Sequence, residues 1–173
     1  MRTLKLVPYD DAWPARFRAE AERLRATIGP FVDAIEHVGS TAVAGLMGKG
    51  VLDIGVAVGS VGAADACVAP LTALGYEYRG MHGDDPRRRY YVRDDSDGRR
   101  LVQVHLYVLP AQGYVEQLAF RDALRADPAL VAAYAEEKQR VAEAVGWDKA
   151  AYALEKGAFV ERVLERLRAR HPH

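Results

Sequence analysis

The residues of this chain best suited to chemistry are His37-Val38-Gly39-Ser40-Thr41 and, twelve residues after this run, Asp53. A strand that ends in Gly-Ser and turns into a short helix exposes backbone N–H groups and a hydroxyl that suit phosphate oxygens. Asp53 lies in an apolar run, where a divalent cation or a basic partner would remove the cost of an unpaired carboxylate. The pattern predicts a phosphate and metal site. The alternative is that Ser40 or Thr41 only caps a helix and Asp53 pairs with a neighbouring arginine.

A glycine-rich segment, Gly45–Gly50, separates the two motifs. Its spacing does not match a P-loop, and Gly50 stands where a P-loop has the Ser or Thr that holds magnesium. The spacing does not match the dinucleotide-binding fingerprint either. Lys49 lies between the Gly-Ser turn and Asp53, where it is placed to contact an anion. The alternative is a solvated loop lysine.

Basic residues recur on the apolar faces of three predicted helices near the C-terminus. The two lysines among them each follow a tyrosine by four residues, which places them on the apolar stripe. Cations that face inward from adjacent helices predict an anion between those helices and the sheet. The alternative is snorkelling of long side chains at the edge of each stripe. The residues at these positions are Arg121, Arg125, Lys138 and Lys156.

A further candidate, His105, lies on the polar side of a predicted strand and suits metal ligation, proton transfer or hydrogen bonding. A lone histidine on a strand is more often structural. Earlier in the chain, the run Arg87–Arg89 begins a strand whose alternation sends Arg88 to one face and its neighbours to the other. The nearby aspartates predict surface ion pairs for at least half of these arginines. The pattern leaves open whether segment 87–100 is a lid or a surface hairpin.

Hydrophobic periodicity and turn residues predict the elements that position these side chains. The predicted helices are Pro14–Ile28, Ala63–Leu74, Tyr114–Arg125, a helix capped by Asp127 that ends at Gly146, and a helix capped by Asp148 that runs to about Arg168. The predicted strands are Ala34–Val38, Val51–Val58, Tyr76–Arg79, Arg88–Arg93 and Leu101–Leu109, with a mobile loop after Gly80. This order predicts an α+β or α/β core over residues 1–110, with C-terminal helices over 111–173 packed on it as one compact unit.

Composition limits the classes of function. The 173 residues carry 24 basic and 24 acidic side chains, so the formal net charge is zero. This balance argues against a protein that coats nucleic acid, although it leaves a local basic pocket open. A single cysteine, Cys67, excludes a disulfide framework and a Cys-rich zinc site. Because no apolar run approaches the ~18 residues of a membrane span and the N-terminus lacks the apolar region of a signal peptide, we expect a soluble cytoplasmic protein.

Several short motifs spread over nearly the whole chain carry a family resemblance. They are Pro8-Tyr9-Asp10 with Trp13-Pro14, Glu36–Val43, Asp53-Ile54, Phe120-Arg121-Asp122 with Leu124-Arg125 and Pro128, Tyr134 with Lys138, and Tyr152 with Lys156 and Phe159. Together these motifs resemble the GrpB family, which is placed in the nucleotidyltransferase superfamily. The resemblance implies a small mixed sheet flanked by helices, a helical C-terminal part, and a nucleotide site supported by Mg²⁺.

The resemblance also implies roles for individual residues. Gly39 and Ser40 would hold nucleotide phosphates, and Asp53 would bind Mg²⁺. Nucleotidyltransferases commonly have a second acid two residues after the first, where this chain has Gly55. They have a third acid on a later strand, where the best-placed polar residue here is His105. Because two metals activate the attacking hydroxyl and stabilise the leaving pyrophosphate, these departures put conventional two-metal catalysis in doubt.

Three hypotheses about function follow. The first is a nucleotidyltransferase-like enzyme that transfers a nucleotidyl group from a nucleoside triphosphate to an unknown acceptor, with Mg²⁺ on Asp53 and with Asp53 and His105 as catalytic residues. The second is a nucleotide- or phosphometabolite-binding module that has lost the chemistry, which Gly55 favours. The third is an interaction scaffold, against which Asp53 and the Gly-Ser turn argue. In the first two, the predicted partner is a small phosphate-bearing ligand, contacted by His37, Gly39, Ser40, Thr41, Lys49, Arg121, Arg125, Lys138 and Lys156.

Overall fold

The computed structural model describes residues 4–81 and 85–170 of the chain. Residues 1–3 of the first predicted unit, residues 171–173 of the second, and residues 82–84 of the predicted mobile loop lie outside these ranges. Within them the helices are α1 (Trp13–Ile28), α2 (Val61–Ala66), α3 (Val68–Ala73), α4 (Gln112–Ala126), α5 (Pro128–Ala144) and α6 (Lys149–Arg170). The strands are β1 (Ala34–Val38), β2 (Leu52–Val58), β3 (Glu77–Tyr78), β4 (Arg88–Asp94) and β5 (Arg100–Val108). Short 3-10 turns cover Gly29–Phe31 and Ser40–Ala42.

The five strands form one mixed sheet in the order β1-β2-β5-β4-β3. The pair β2 and β5 is parallel, whereas the other neighbouring pairs are antiparallel. In the parallel register Asp53 lies opposite Gln103, and Gly55 lies opposite His105. The expectation of a small mixed sheet flanked by helices is therefore confirmed.

The two faces of the sheet differ in chemistry because successive strand residues point to opposite sides. The apolar face of β2 and β5, which includes Ile54, Val56 and Val104, packs with α1 and α3 in the largest core cluster. The residues in between form the opposite face, which we call the polar face because it carries Asp53 and His105. The helices α4, α5 and α6 pack against one another and lie over this polar face.

The start of α5 follows the predicted capping pattern. Asp127 accepts hydrogen bonds from the N–H groups of Ala129 at 2.9 Å and Leu130 at 3.2 Å, and Pro128 begins the helix. Since a proline at the first helical position lacks only an N–H that the helix would leave unpaired, the sequence starts α5 at a defined residue. That register turns Tyr134, Lys138 and Val141 inward, and all three are buried.

The structure corrects several local predictions. The single helix predicted over Ala63–Leu74 is instead α2 and α3, separated at Cys67. Pro70 explains the break, because it has no N–H to donate to the carbonyl four residues earlier. The strand predicted over Tyr76–Arg79 is only the two-residue edge strand β3. Segment 87–100 is not a lid, since β4 pairs with β5 on one side and β3 on the other. In the described residues no helix is both long and apolar enough to cross a membrane.

We predict that Asp127→Ala lowers the free energy of unfolding by about 1 kcal/mol, because two N–H groups at the start of α5 lose their acceptor. Urea denaturation of the wild type and the variant measures this difference. Glu22→Ala, at an exposed position in the middle of α1, is the matched control and should change stability much less. Equal effects of the two substitutions would contradict the capping role.

Candidate functional site

The turn after β1 is in direct contact with the acidic residue of β2. Gly39 has a φ of 71°, and a Cβ atom built on it would lie 2.5 Å from Oδ2 of Asp53. Only glycine tolerates both this left-handed backbone and such a close approach. The contact brings Ser40, the next residue, to the edge of the polar face beside the Asp53 carboxylate.

Two cavities meet at this point, between the polar face and the C-terminal helices. The large cavity, about 410 Å³, is lined by Gly39, Ser40, Leu46, Asp53, Arg88, Tyr107, Gly113, Glu116, Gln117, Phe120, Arg121, Leu124, Tyr134, Lys156, Val160, Glu161 and Leu164. The smaller one, about 60 Å³ and called here the lysine cavity, is lined by Leu6, Ser40, Thr41, Lys49, Val51, Asp53, Gln103, Lys138, Tyr152 and Lys156. Both include Ser40, Asp53 and Lys156, so a ligand bound there could extend from one cavity into the other.

The lysine cavity concentrates positive charge. Lys138 is only 2% exposed and donates hydrogen bonds to Oγ of Ser40, at 2.6 Å, and to the carbonyl oxygen of Met47. Burial, together with the neighbouring charges of Lys156 and Lys49, lowers the pKa of Lys138 to about 7, although Asp53 opposes the shift. Burial and the same kind of repulsion lower the pKa of Lys49 to about 8. Both shifts are the consequence of holding ammonium groups close together away from water.

Tyr152 is a site residue that the sequence reasoning left among the apolar positions of α6. Its side chain is 1% exposed, it lines the lysine cavity, and Lys49 lies over its ring at 5.4 Å. Its hydroxyl has no hydrogen-bond partner among the described residues. A buried hydroxyl normally has such a partner, so this group is notable in the wall of a cavity. The sequence signal that could have identified Tyr152 as a site residue is its position four residues before Lys156.

The predicted catalytic pair is brought together on the polar face. Nε2 of His105 lies 3.7 Å from Oδ1 of Asp53, and its ring stacks on Tyr90. Gly55, opposite His105, occupies the place of a second acid. A Cβ atom there would already contact the side chains of Tyr114 and Gln117 at 3.5 Å. These distances are ordinary van der Waals contacts, so the side chains of α4 border the place of a second carboxylate without filling it.

These residues do not form a two-metal site. Within residues 4–81 and 85–170, no group of three or more His, Cys, Asp or Glu side chains is arranged to hold a metal ion. Among the described residues, Asp53 is the one carboxylate lining the lysine cavity. Because two-metal transfer needs carboxylates that bridge or share two cations, the chain's own residues do not fit that arrangement.

The two predicted arginines of α4 hold the turn in place. Arg121 donates to Oε2 of Glu36 at 2.7 Å and to the carbonyl oxygen of His37 at 3.0 Å, and it also binds Asp122. Arg125 donates to the carbonyl oxygen of Ala42 at 2.9 Å. Arg121 reaches the wall of the large cavity, and these bonds engage its Nε and Nη1 groups. Both side chains are better described as positioning groups than as anion ligands.

His37 does not reach either cavity. It pairs with Ile54 in the sheet, so its ring lies on the apolar side, where it stacks on Phe17 at 4.5 Å. Nε2 of His37 shares a hydrogen bond of 2.9 Å with Oγ1 of Thr41, which occupies that hydroxyl. Burial and the charge of Arg125 lower the pKa of His37 to about 4. The neutral ring of His37 therefore supports the turn from the side that faces α1, and it is not placed to contact a phosphate.

Sequence comparisons identify relatives over almost the whole chain. The family model described as GrpB protein matches residues 3–166. The UPF0157 protein PA4798 of Pseudomonas aeruginosa is 36% identical over 171 residues, which cover 98% of this chain and 70% of that protein. A dephospho-CoA kinase of Mycolicibacterium paratuberculosis is 32% identical over 175 residues, which cover 88% of this chain and 43% of the kinase.

Solved structures share the fold. A crystal structure of the conserved protein GrpB from Enterococcus faecalis matches with a TM-score of 0.81 at 28% identity, covering 94% of this chain and 99% of that one. The poly(U) polymerase Cid1, with Mg 3'-dATP bound, matches with a TM-score of 0.58 at 14% identity, covering 86% of this chain and 49% of that one. The second likeness shows a nucleotidyltransferase-like fold and nothing finer.

We predict that Gly39→Ala is more destabilising than Gly45→Ala. Both glycines have positive φ, 71° and 77° respectively, but nothing lies within 4 Å of a Cβ at Gly45. The control therefore suffers only the backbone strain, whereas Gly39→Ala also forces Asp53 to move, at an added cost of about 1–3 kcal/mol in unfolding free energy. Equal losses in urea denaturation would contradict the close contact between the turn and Asp53.

We predict a pH-dependent stability difference between the wild type and Lys138→Met. Because the folded pKa of Lys138, about 7, lies below the model-compound value of 10.5, the unfolded chain binds more protons between these values, and wild-type stability rises with pH there. Lys138→Met removes this contribution.

The stability of Lys138→Met relative to the wild type should therefore decrease by about 1 kcal/mol or more from about pH 6 to about pH 9. The lost hydrogen bonds to Ser40 and Met47 shift the difference equally at every pH. Urea denaturation at both pH values, with the exposed Lys5→Met as control, measures the change. A difference that does not vary with pH would show that Lys138 is not a strained cation.

Proposed function

The chain belongs to the GrpB family, and from this premise we propose that the lysine cavity binds the phosphate groups of a nucleotide whose remaining part occupies the large cavity. One observation carries the proposal. Lys49, Lys138 and Lys156 line a space to which the described part of the chain contributes a single carboxylate, that of Asp53. The formal charge of the lining is positive, although the charge of the whole chain is zero.

Electrostatics favours an anion over a neutral ligand here. Two unit charges about 4 Å apart interact by about 4 kcal/mol where the effective dielectric constant is near 20, whereas a net hydrogen bond contributes about 1 kcal/mol. Burial and the mutual repulsion of the lysines both disfavour the ammonium form of Lys138. A phosphate replaces this repulsion with attraction, and the hydroxyls of Ser40 and Tyr152 are available to its oxygens.

The large cavity supports a ligand with an aromatic or apolar part. Tyr107 and Tyr134 provide ring surfaces, while Arg88 and Gln117 add polar groups. Arg88 lies over the ring of Tyr107 at 4.8 Å and donates to its hydroxyl at 3.1 Å. A volume of about 410 Å³ is within the range of small-molecule sites. These features suit the base and ribose of a nucleotide.

A single Mg²⁺ is compatible with this proposal. Asp53 would contribute one carboxylate oxygen, and the ligand phosphates and water would supply the rest, as Mg²⁺ prefers. When bound there, the ion would neutralise phosphate charge. Nucleotidyl transfer to an external acceptor is a second candidate, favoured by the contact between Gly39 and Asp53 on a nucleotidyltransferase-like fold. The chain's own residues supply no second carboxylate for it.

Isothermal titration calorimetry with ATP, CTP and dephospho-CoA, each with and without Mg²⁺, tests the proposal. The last ligand is included because of the dephospho-CoA kinase relative. We expect at least one of these ligands to bind. Lys138→Met and Lys156→Met should each weaken its affinity about tenfold or more, since each loses a charge–charge attraction worth more than 1.4 kcal/mol. Lys5→Met, at an exposed position, should bind like the wild type.

Two outcomes would reject parts of this proposal. If none of the three ligands binds, or if both lysine variants keep the wild-type affinity, the phosphate site is wrong and a scaffold role becomes the better interpretation. If the ligand binds but Asp53→Asn leaves the effect of Mg²⁺ unchanged, the magnesium position on Asp53 is wrong. Thermal denaturation of each variant ensures that lost binding does not reflect unfolding.

A further inference from the structure

Ser40 and Lys138 have the geometry of a nucleophile and its base. Oγ of Ser40 lies 2.6 Å from Nζ of Lys138, and the Lys138 amine is oriented by a second hydrogen bond to the carbonyl oxygen of Met47. A hydroxyl within reach of a base, with the base held by a third group, is the arrangement that activates serine nucleophiles. Ser40 is only half-buried and lines both cavities, so a bound ligand can reach it.

The environment of Lys138 favours a neutral amine. The groups that face it are Lys49 from the loop before β2, Lys156 from α6, Asp53 from β2, and the ring of Tyr134 on its own helix at 5.3 Å. Burial and the two lysines outweigh Asp53, so the pKa of Lys138 falls to about 7. Near neutral pH a large fraction of Lys138 is therefore unprotonated. A neutral amine can donate to Met47 while its lone pair accepts the proton of Ser40.

We propose that Ser40 is a nucleophile, with Lys138 as its general base, and that it accepts a nucleotidyl group from a nucleoside triphosphate. Oγ of Ser40 forms a bond to the α-phosphorus, and the bond from that phosphorus to the bridging oxygen of the β-phosphate breaks. The electron pair leaves with pyrophosphate, and the proton of Ser40 moves to Nζ of Lys138 in those complexes whose Lys138 amine is neutral. Because bound phosphate favours the protonated amine, the transfer should become faster as the pH rises above about 7. The product is a nucleotidyl ester of Ser40.

The charges of the cavity fit this step. Lys49 and Lys156 line the same space as Lys138 and add positive charge next to the departing pyrophosphate. Preorganised charge of this kind stabilises a transition state in which negative charge develops on the leaving group. The donor of the nucleotidyl group rests on the proposed function, whereas the reactivity of Ser40 does not. Experiments can therefore reject the nucleotide donor without rejecting the reactivity of Ser40.

A fluorophosphonate, a phosphorus electrophile with a good leaving group, tests the nucleophile without any nucleotide. Mass spectrometry of peptides from the labelled protein should locate the adduct on Ser40, and Ser40→Ala should abolish it. The labelling rate should rise with pH through about 7, as Lys138 loses its proton. No adduct on Ser40 would overturn the inference.

Replacing Lys138 separates a base from a structural role. Lys138→Arg keeps a positive charge and hydrogen-bond donors, but its guanidinium stays protonated and cannot accept the serine proton. The labelling rate should fall about tenfold or more, as expected for loss of a general base, and its rise near pH 7 should disappear. Lys138→Met should have the same effect, and Lys5→Met none. If a variant that melts like the wild type keeps the wild-type rate and pH profile, Lys138 is not the base.

Incubation with ATP or CTP, with and without Mg²⁺, tests the transferred group. Intact-mass measurement should show the addition of one nucleotidyl group, lost in Ser40→Ala, with release of pyrophosphate. If calorimetry shows binding of either nucleotide but Ser40 stays unmodified by both, the transfer to Ser40 is wrong and the proposed function stands. If neither nucleotide binds or modifies Ser40, the transfer is again wrong, and a fluorophosphonate adduct then leaves Ser40 as a nucleophile toward another phosphorus compound.

Discussion

The buried ammonium group of Lys138 joins the two halves of this protein. It extends from α5 to the hydroxyl of Ser40, in the turn after β1, and to the carbonyl oxygen of Met47, in the loop before β2. A cation in such a place is costly unless polar partners surround it, so the turn, the loop and the helix must keep their relative positions. The close contact of Gly39 with Asp53 and the bonds from Arg121 to Glu36 and the carbonyl oxygen of His37 hold the same turn from its other sides.

The lining of the lysine cavity differs from the set of carboxylates that two-metal nucleotidyl transfer needs. On β2 the polar face carries one acidic residue, Asp53, and the side chains of α4 border the Gly55 position. Glu36 lies on the same face, opposite Gly55, and is paired with Arg121. The positive charge comes instead from three lysines, on the loop before β2 and on the helices α5 and α6. The free protein holds these cations close together, which costs stability, and such strain is common where a binding site is prepared for a ligand of opposite charge.

Much of this could be predicted from local sequence, because helix caps and apolar periodicity determine which side chains point inward. Asp127 and Pro128 determine the register of α5, and that register places Lys138 inside. The absence of an acid at Gly55 was also visible. Other features depend on contacts between distant segments. The bond from Arg121 to Glu36 spans 85 residues, so the local sequence of α4 does not indicate that Arg121 binds β1.

The sequence also did not show which side of an element some residues face. The strand β1 is short and carries apolar residues on both faces, such as Ile35 and Val38, so alternation alone did not show that His37 faces α1 and not the cavities. Tyr152 was assigned to an apolar stripe, and its place in the wall of the lysine cavity depends on the packing of α6 beside Lys49. In both cases the missing information was the packing of one element on another, which no single segment encodes.

The central claim, that phosphate binds against strained lysines, is tested most directly by counting protons. An anion raises the pKa of nearby ammonium groups, so binding between the free pKa of Lys138 and that of Lys49, about 7 and about 8, must draw protons from the buffer. Titration of ATP at about pH 8 in buffers of different ionisation enthalpy measures this number. The account predicts net proton uptake, which Lys138→Met reduces. Binding with no uptake, or with release of protons, would contradict it.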